Sequence, residues 1–341
     1  MRAIIYSRRG PSSVLELVER EPGQPAPGEV RVRIAVSGVN PTDWKARAGG
    51  APMDFAEVTP NQDGAGVIDA VGEEVDDLAI GDRVWIFLAA HERPTGTAQE
   101  FAVVPARRAV RLPDGVGFDV AASLGVPAMT AHRALTVHED GPARLSPGSL
   151  ARRTVLVQGG AGAVGHAAIQ LAVWAGATVI ATVSSPDKAA LARSAGAHHV
   201  VQYPDADLAG AIRTHAPNGV DQIVEVAPAQ NAALDVEVAG NHASVGYYAN
   251  NNGDAFTAPI VTSFAKNMRW QGLLLYTVGD AALQAAAADI SAALEDGALL
   301  VGADEGLPVT WFALEETASA HDAVEAGVTG KVLIRVAEDL A

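Results

Sequence analysis

The chain has 341 residues, of which 49% are apolar and 19% charged, with 34 glycines and 19 prolines. That length exceeds the usual single core and the composition is globular, so two domains are expected, neither disordered nor fibrous. A formal net charge of −16 disfavours nucleic acid and anionic membrane as partners, and the absence of cysteine removes disulfides, thiolate nucleophiles and cysteine-bearing zinc sites.

The opening stretch MRAIIYSRRG lacks an apolar core of signal-peptide length, which makes the cytoplasm the expected compartment. Through about residue 125 the pattern is of short strands, at AIIYS, EVRVRIAVSGVN, AGVIDAVG, GDRVWIF, AQEFAVVP and AVRLP. Their alternation and frequent Gly/Pro breaks predict an irregular or partly open β barrel. From Ala121 the texture becomes alanine-rich helix, AASLGVPAMTAHRAL, a hinge between domains, and HEDGPARLSPGSLARR reads as a surface loop.

Buried-type strands then alternate with helices. Strands fall at TVLVQ, TVIATV, HHVVQY, GVDQIVEV, HASVGYY and WQGLLLY, with helices beginning near Val164, Pro186, Asp205 and Gln230. Such alternation means a parallel sheet with crossover helices, the doubly wound fold. The uncharged run from Ala167 to Pro186 has the length of a membrane span, but Gly176 splits it into a helical half and a β-branched half. Beyond LLLY come an amphipathic helix, DAALQAAAADISAALEDG, then LPVTWFALEETASAHDAVEAG and a final strand, KVLIRV, which return to complete the first domain. The expected division is residues 1–125, completed by about 277–341, and residues 126–276.

Gly159, Gly162 and Gly165 follow the strand TVLVQ and open the helix that carries Ala163 and Val164. A first glycine permits the tight turn, a middle one lets backbone approach a pyrophosphate, and a third lets helix pack on strand. Free N–H groups and the positive dipole end then face the phosphates. The spacing is GxxGxxG rather than GxGxxG, and a plain βα turn is the alternative. The next strand ends in Ser184 and Ser185, with Lys188 following and no carboxylate at the strand end. Hydroxyls and an ammonium suit the 2′-phosphate of NADPH, where an NAD enzyme commonly places an acid. Ser184 and Ser185 also suit a helix N-cap.

At this point the chain resembles the zinc-free, zeta-crystallin-like quinone oxidoreductases of the medium-chain dehydrogenase/reductase superfamily. The stretches that carry the likeness are SGVNPTDWKAR, AGVIDAVGEEVDDLAIGDRVW, TAQEFAVVP, GVPAMTAHRAL, VLVQGGAGAVGHAAIQLA, VIATVSSPDKAALARSAGAHHVVQY and GVTGKVLIRV. The resemblance implies an α/β protein: a GroES-like β-barrel domain, whose last elements come from the C-terminus, plus a Rossmann doubly wound parallel-sheet domain. It also implies a homodimer. Zinc alcohol dehydrogenases of the superfamily have a Cys in a GxCxxD stretch and a His-Glu pair; the matching residues here are Asn40 and Gln62-Asp63. Amides are poor zinc ligands, so no metal is expected. His198 and His199 lie on opposite faces of a predicted strand and read as structural or surface residues.

Carried over residue by residue, the resemblance puts Lys45 near the phosphates or nicotinamide, where the family often has tyrosine, and Thr130 beside the nicotinamide. It puts Gly162, Ala163 and Val164 on the pyrophosphate, and Ser184, Lys188 and Tyr203 around the 2′-phosphate. Gly246, Tyr247 and Leu273 to Leu275 would flank the nicotinamide. With a nicotinamide and no metal, hydride transfer to a quinone or enone is the expected chemistry, because conjugation spreads the developing negative charge. Asn40 and Gln62 would orient the carbonyl oxygen by amide N–H donation and Asp43 would orient neighbouring loop groups; turn chemistry is the competing explanation for all three. Trp44, Met53 and Phe55 are candidates for a stacking wall. Three alternatives stay open: a reductase of activated double bonds, with Tyr247 or Tyr248 as acid; a non-catalytic NADPH-binding protein; and a zinc alcohol dehydrogenase.

Overall fold

In the computed structural model, which describes residues 1–50, 52–203 and 207–340, the chain divides into two units: residues 1–126 with 309–341, and residues 127–308. In the first unit, β1 (Arg2–Ile5) pairs antiparallel with β2 (Glu16–Glu19), a mostly exposed ELVE strand that gives no apolar alternation. The spine is β3 (Glu29–Val39), followed by α1 (Pro41–Lys45), β4 (Asp63–Val71), β5 (Arg83–Ile86), β6 (Phe101–Pro105), β7 (Ala109–Arg111) and α2 (Phe118–Ala121). Both β4 and β6 pair antiparallel with β3. Val30, Val32 and Ile34 from β3 are fully buried with Ile68, Val84 and Val104, so the alternation of EVRVRI supplies the core.

The chain passes through α3 (Gly125–Leu135) into six strands: β8 (Thr154–Gln158), β9 (Thr178–Val183), β10 (His199–Gln202), β11 (Val220–Glu225), β12 (Ala239–Tyr247) and β13 (Arg269–Gly272). All pair in parallel, in the order β10-β9-β8-β11-β12-β13. This is the 3-2-1-4-5-6 doubly wound order, whose reversal between β8 and β11 marks the ligand crevice at the carboxyl ends of the strands. The crossovers are α4 (Ala163–Trp174), α5 (Pro186–Ser194), α6 (Leu208–His215) and α7 (Pro228–Val238), with α8 (Ile260–Ala265) before β13. The helix start expected near Asp205 lies outside the described residues; α6 begins behind Asp207, whose carboxylate accepts the Gly210 N–H at 2.9 Å. The uncharged run of residues 167–186 is the body of α4 followed by β9. No helix among the described residues is long and apolar enough to cross a membrane.

The return to the first unit comes later than the sequence pattern suggests. Helix α9 (Asp280–Glu295) belongs to residues 127–308. Its buried face carries Asp289, which bonds His132 Nε2 at 2.8 Å, Arg144 Nε at 2.6 Å and the Leu145 N–H at 2.7 Å, all within the second unit. The return starts at β14 (Val309–Ala313), continues through α10 (Thr317–Glu325) and ends in β15 (Lys331–Arg335), which pairs parallel with β14 and antiparallel with β3. His198 Nδ1 accepts the Val179 N–H at 3.0 Å and His199 stacks on His215 at 3.9 Å, so both have structural roles.

Candidate active site

In the second unit, the turn after β8 is held by three features. Gly159 has φ +72°, the left-handed region that favours glycine. Gly160 donates its N–H to the Thr182 carbonyl at 3.0 Å, and a β-carbon on it would fall 2.8 Å from the Ala181 side chain. A β-carbon on Gly165 would fall 2.4 Å from the Gly159 carbonyl oxygen. These contacts bring α4 hard against the turn. Gly162 differs: it is exposed, has an ordinary φ of −85°, and a β-carbon there would meet only the Gly159 oxygen at 3.6 Å. As N-cap of α4 it offers no side chain, and the first-turn N–H groups of Ala163 and Val164 are left for an anion. The loop and helix therefore fit a pyrophosphate.

At the end of β9, Ser185 is the N-cap of α5: its Oγ accepts the Lys188 N–H at 3.3 Å. Pro186 follows at the first helical position and Asp187 lies exposed in the first turn. Ser184 and the half-buried Lys188 carry the hydroxyl and ammonium at this corner. Tyr203 joins them, because its N–H bonds the Val183 carbonyl at 3.0 Å while its ring stays half-exposed. Thus Ser184, Lys188 and Tyr203 share one corner, and Ser185 serves the helix.

Thr130 lies on the buried face of α3, one turn before Ala134, whose Cα would be 3.2 Å from a β-carbon on Gly246. Leu273 reaches the same point through its Cδ1 and donates its N–H to the Tyr247 carbonyl at 2.9 Å. Leu275 is buried. Ala134, Gly246, Tyr247 and Leu273 therefore gather at the carboxyl end of β12, with Thr130 one turn away on α3. Tyr247 packs edge-on against Phe256. Burial, reinforced by Glu225, pushes the Tyr248 hydroxyl well above its ordinary range, which makes it a poor proton donor.

Sequence reasoning missed a buried carboxyl pair at the switch point. Glu225 ends β11 and Asp235 sits on α7; both are fully buried. Glu225 accepts the Ala227 N–H and Asn231 Nδ2, while Asp235 Oδ1 accepts Gln158 Nε2 at 3.0 Å. Asp235 Oδ2 has no partner as a carboxylate, and burial and the neighbouring acid push Asp235 well up. One proton held between the two acids satisfies that atom. Gln158 in turn accepts the Thr182 hydroxyl, and Thr182 Oγ1 accepts the Gly159 N–H at 3.4 Å, so the pair supports the glycine turn.

In the first unit, Asn40 follows β3 as the N-cap of α1, which Pro41 starts. Asp43, the third residue of α1, accepts the Asn40 N–H at 2.7 Å and the Gln62 N–H at 3.1 Å. Asn40 Nδ2 donates to Asp63 Oδ2 at 2.6 Å, and Asn40 Oδ1 accepts Lys331 Nζ at 2.7 Å. Lys331 also stands 3.6 Å from Asp63, whose other oxygen accepts the Val126 N–H at 2.8 Å. The Gln62 Oε1 accepts the Ala90 N–H at 3.1 Å. Each amide thus has its oxygen fixed by an internal donor and presents nitrogen elsewhere. Burial pushes Asp63 up and Lys331 down, and pushes Asp43 to about 7. Lys331 is the missed member: its signal is a lysine opening an otherwise buried strand, KVLIR. Lys45 ends α1 with its ammonium 5.9 Å from the Trp44 ring centroid; Met53 is half-buried and Phe55 exposed.

A GroES-like barrel joined to a doubly wound sheet, with a glycine turn at the switch point, defines a nucleotide-dependent dehydrogenase or reductase of the medium-chain kind. Residues 26–114 match the family described as alcohol dehydrogenase GroES-like domain, and residues 163–292 the one described as zinc-binding dehydrogenase. The quinone oxidoreductase of Rattus norvegicus is 30% identical over 342 residues, covering 98% of this chain and 97% of the rat protein. A 2-haloacrylate reductase of a Burkholderia species is 34% identical over 218 residues, 62% of each chain. Among solved structures, mycobacterial Rv1454c complexed with NADPH superposes with a TM-score of 0.81 at 26% identity, covering 98% of this chain and 100% of that one. The chain belongs to the quinone oxidoreductase family of the medium-chain dehydrogenase/reductase superfamily.

The zinc in one of those family descriptions does not fit the residues present. Where zinc alcohol dehydrogenases offer thiolate and imidazole, this chain offers the Asn40 and Gln62 amides beside Asp63, and a buried ammonium and the Ala90 N–H already bond the two amide oxygens. An amide oxygen and a carboxylate committed to Lys331 and Asn40 are a poor donor set for a borderline-soft cation.

Proposed function

We propose that this protein is an NADPH-dependent quinone oxidoreductase that reduces a quinone or similar conjugated carbonyl without a metal. Bound NADPH supplies the hydride. Gly162, Ala163 and Val164 hold the pyrophosphate by backbone N–H groups, and Ser184, Lys188 and Tyr203 hold the 2′-phosphate. The observation that carries the reading is the shared polarity of Asn40 and Gln62: Lys331 and the Ala90 N–H occupy their oxygens, so both amides offer N–H to an acceptor's carbonyl oxygen. Weak donors suffice there, because conjugation delocalises the charge that develops. The names of the rat and mycobacterial relatives support the acceptor and the cofactor respectively.

Reduction of an activated carbon–carbon double bond is the second reading, favoured by the likeness to the 2-haloacrylate reductase. It needs the same cofactor site and hydride geometry. The test is NADPH oxidation measured against ortho- and para-quinones, enones, haloacrylates and aldehydes, with NADH as control. Turnover of quinones with NADPH is expected. Activity with haloacrylates or enones alone selects the second reading, and cofactor binding with no oxidation by any of them points to a non-catalytic NADPH-binding protein. A cytoplasmic homodimer goes with the proposal. The support for the dimer is that β13 is a sheet edge and that Ile260, Val261 and Phe264 are exposed just before it. Sedimentation at dimer mass is the result expected.

A further inference from the structure

Lys331 is almost wholly buried at the start of β15, and so are its two partners, Asn40 and Asp63. An ammonium without water is tolerated only beside an acid and well-placed acceptors, and this one has both: Asn40 Oδ1 at 2.7 Å and Asp63 Oδ2 at 3.6 Å. The two charged groups act on the Asn40 amide from its two ends. Asp63 draws the NH2 end at 2.6 Å and Lys331 draws the oxygen end. Turning the amide over would set its oxygen against a carboxylate and its NH2 against an ammonium, two repulsive contacts in place of two attractive ones. One Nδ2 hydrogen is spent on Asp63, and the other remains for an acceptor.

We infer that Lys331, acting with Asp63, is the positioning residue that holds Asn40 with its amide N–H toward the acceptor oxygen. The inference rests on the quinone-reductase reading above. Lys331 touches no reacting atom in this role; it acts through Asn40 alone. A lysine that only filled the barrel would have no such dependence.

The test uses the full-length enzyme and four variants: Lys331→Met, Asn40→Ala, the double Lys331→Met/Asn40→Ala, and Lys331→Met/Asp63→Asn, which removes the acid that Lys331→Met leaves unpaired. Melting temperature, NADPH affinity by fluorescence titration, and kcat with a para-quinone are read for each. Lys331→Met is expected to lower kcat roughly 10- to 100-fold with NADPH affinity unchanged. In the Asn40→Ala background the same substitution should cost nothing further. Lys331→Met/Asp63→Asn should recover melting temperature but not kcat, and it keeps the test open if Lys331→Met alone does not fold. Recovery of both together, or multiplicative losses for Lys331→Met and Asn40→Ala in an active enzyme, overturns the inference and leaves the functional reading standing. Wild-type enzyme inactive with every quinone overturns that reading, and the inference with it.

Discussion

A β-carbon on Gly165 would sit 2.4 Å from the carbonyl oxygen of Gly159, whereas one on Gly162 would meet that oxygen at an ordinary 3.6 Å. The two glycines therefore have separable roles. Gly165→Ala forces backbone against backbone and is expected to cost about 1–3 kcal/mol of stability. Gly162→Ala has an allowed φ of −85° and changes stability by about 1 kcal/mol or less, yet it weakens NADPH binding about tenfold or more by keeping the pyrophosphate off the helix N-terminus. Denaturation midpoints and cofactor titrations of both variants check this. Equal loss of stability in the two would refute the division of labour.

The corner formed by Ser184, Lys188 and Tyr203 supplies a second contrast, because Ser185 beside it is a helix cap. Lys188→Ala should raise the KM for NADPH by about tenfold, the effect of one charge-assisted bond, with little change for NADH. Ser185→Ala should lower stability by about 1 kcal/mol and leave the NADPH-to-NADH ratio of KM values unchanged. Equal effects of Lys188→Ala on the two cofactors would remove the 2′-phosphate from this corner.

Period-two runs such as EVRVRI and the alternation of strands with helices were enough to read both sheets. ELVE at β2 was not, since an exposed edge strand buries no face that could impose alternation. The boundary at residue 309 was equally hidden: the stripe on α9 announces that one face is buried, but nothing in it names His132, Arg144 and Leu145 as what Asp289 meets. The glycine turn was legible because its requirement is local. Lys331 was not, because its meaning lies 291 residues away in Asn40. Gln158, Thr182, Glu225 and Asp235 each look unremarkable until β8, β9 and β11 lie side by side.

Asp235 gives a prediction from that assembled network. If Glu225 and Asp235 share one proton, an amide at position 235 reproduces the neutral acid: its oxygen still accepts Gln158 Nε2 and its NH2 faces Glu225. Asp235→Asn should stay within about 1 kcal/mol of wild type. Asp235→Leu takes the acceptor from Gln158 Nε2 and the shared proton from Glu225 and should cost about 1–3 kcal/mol, with weaker NADPH binding because a less firmly held Gln158 steadies Thr182 and Gly159 less well. Chemical denaturation and cofactor titration separate the two. Equal damage from both would mean that the site requires a charged Asp235.

Asp43 makes stability depend on pH with a definite sign. Burial, reinforced by the charge on Asp63, raises its carboxyl from 3.8 to about 7 in spite of the two backbone N–H groups it accepts. The unfolded chain releases this proton near 3.8, while the folded protein keeps it until about 7. Between those values the native state binds more protons than the unfolded one, so Asp43 makes stability fall as pH rises. Below the window both states are protonated, and above it the whole loss is in place. Asp43→Asn has no proton to lose, and every other titrating group is common to the two proteins. The stability of the variant relative to wild type should therefore climb by roughly 2–4 kcal/mol from about pH 4 to about pH 7 and level off on either side. Urea denaturation from pH 4.5 to pH 8 measures it. A difference that stays flat would mean that Asp43 is already ionised at pH 5, and that the Asn40 and Gln62 N–H groups stabilise a carboxylate strongly enough to outweigh its burial.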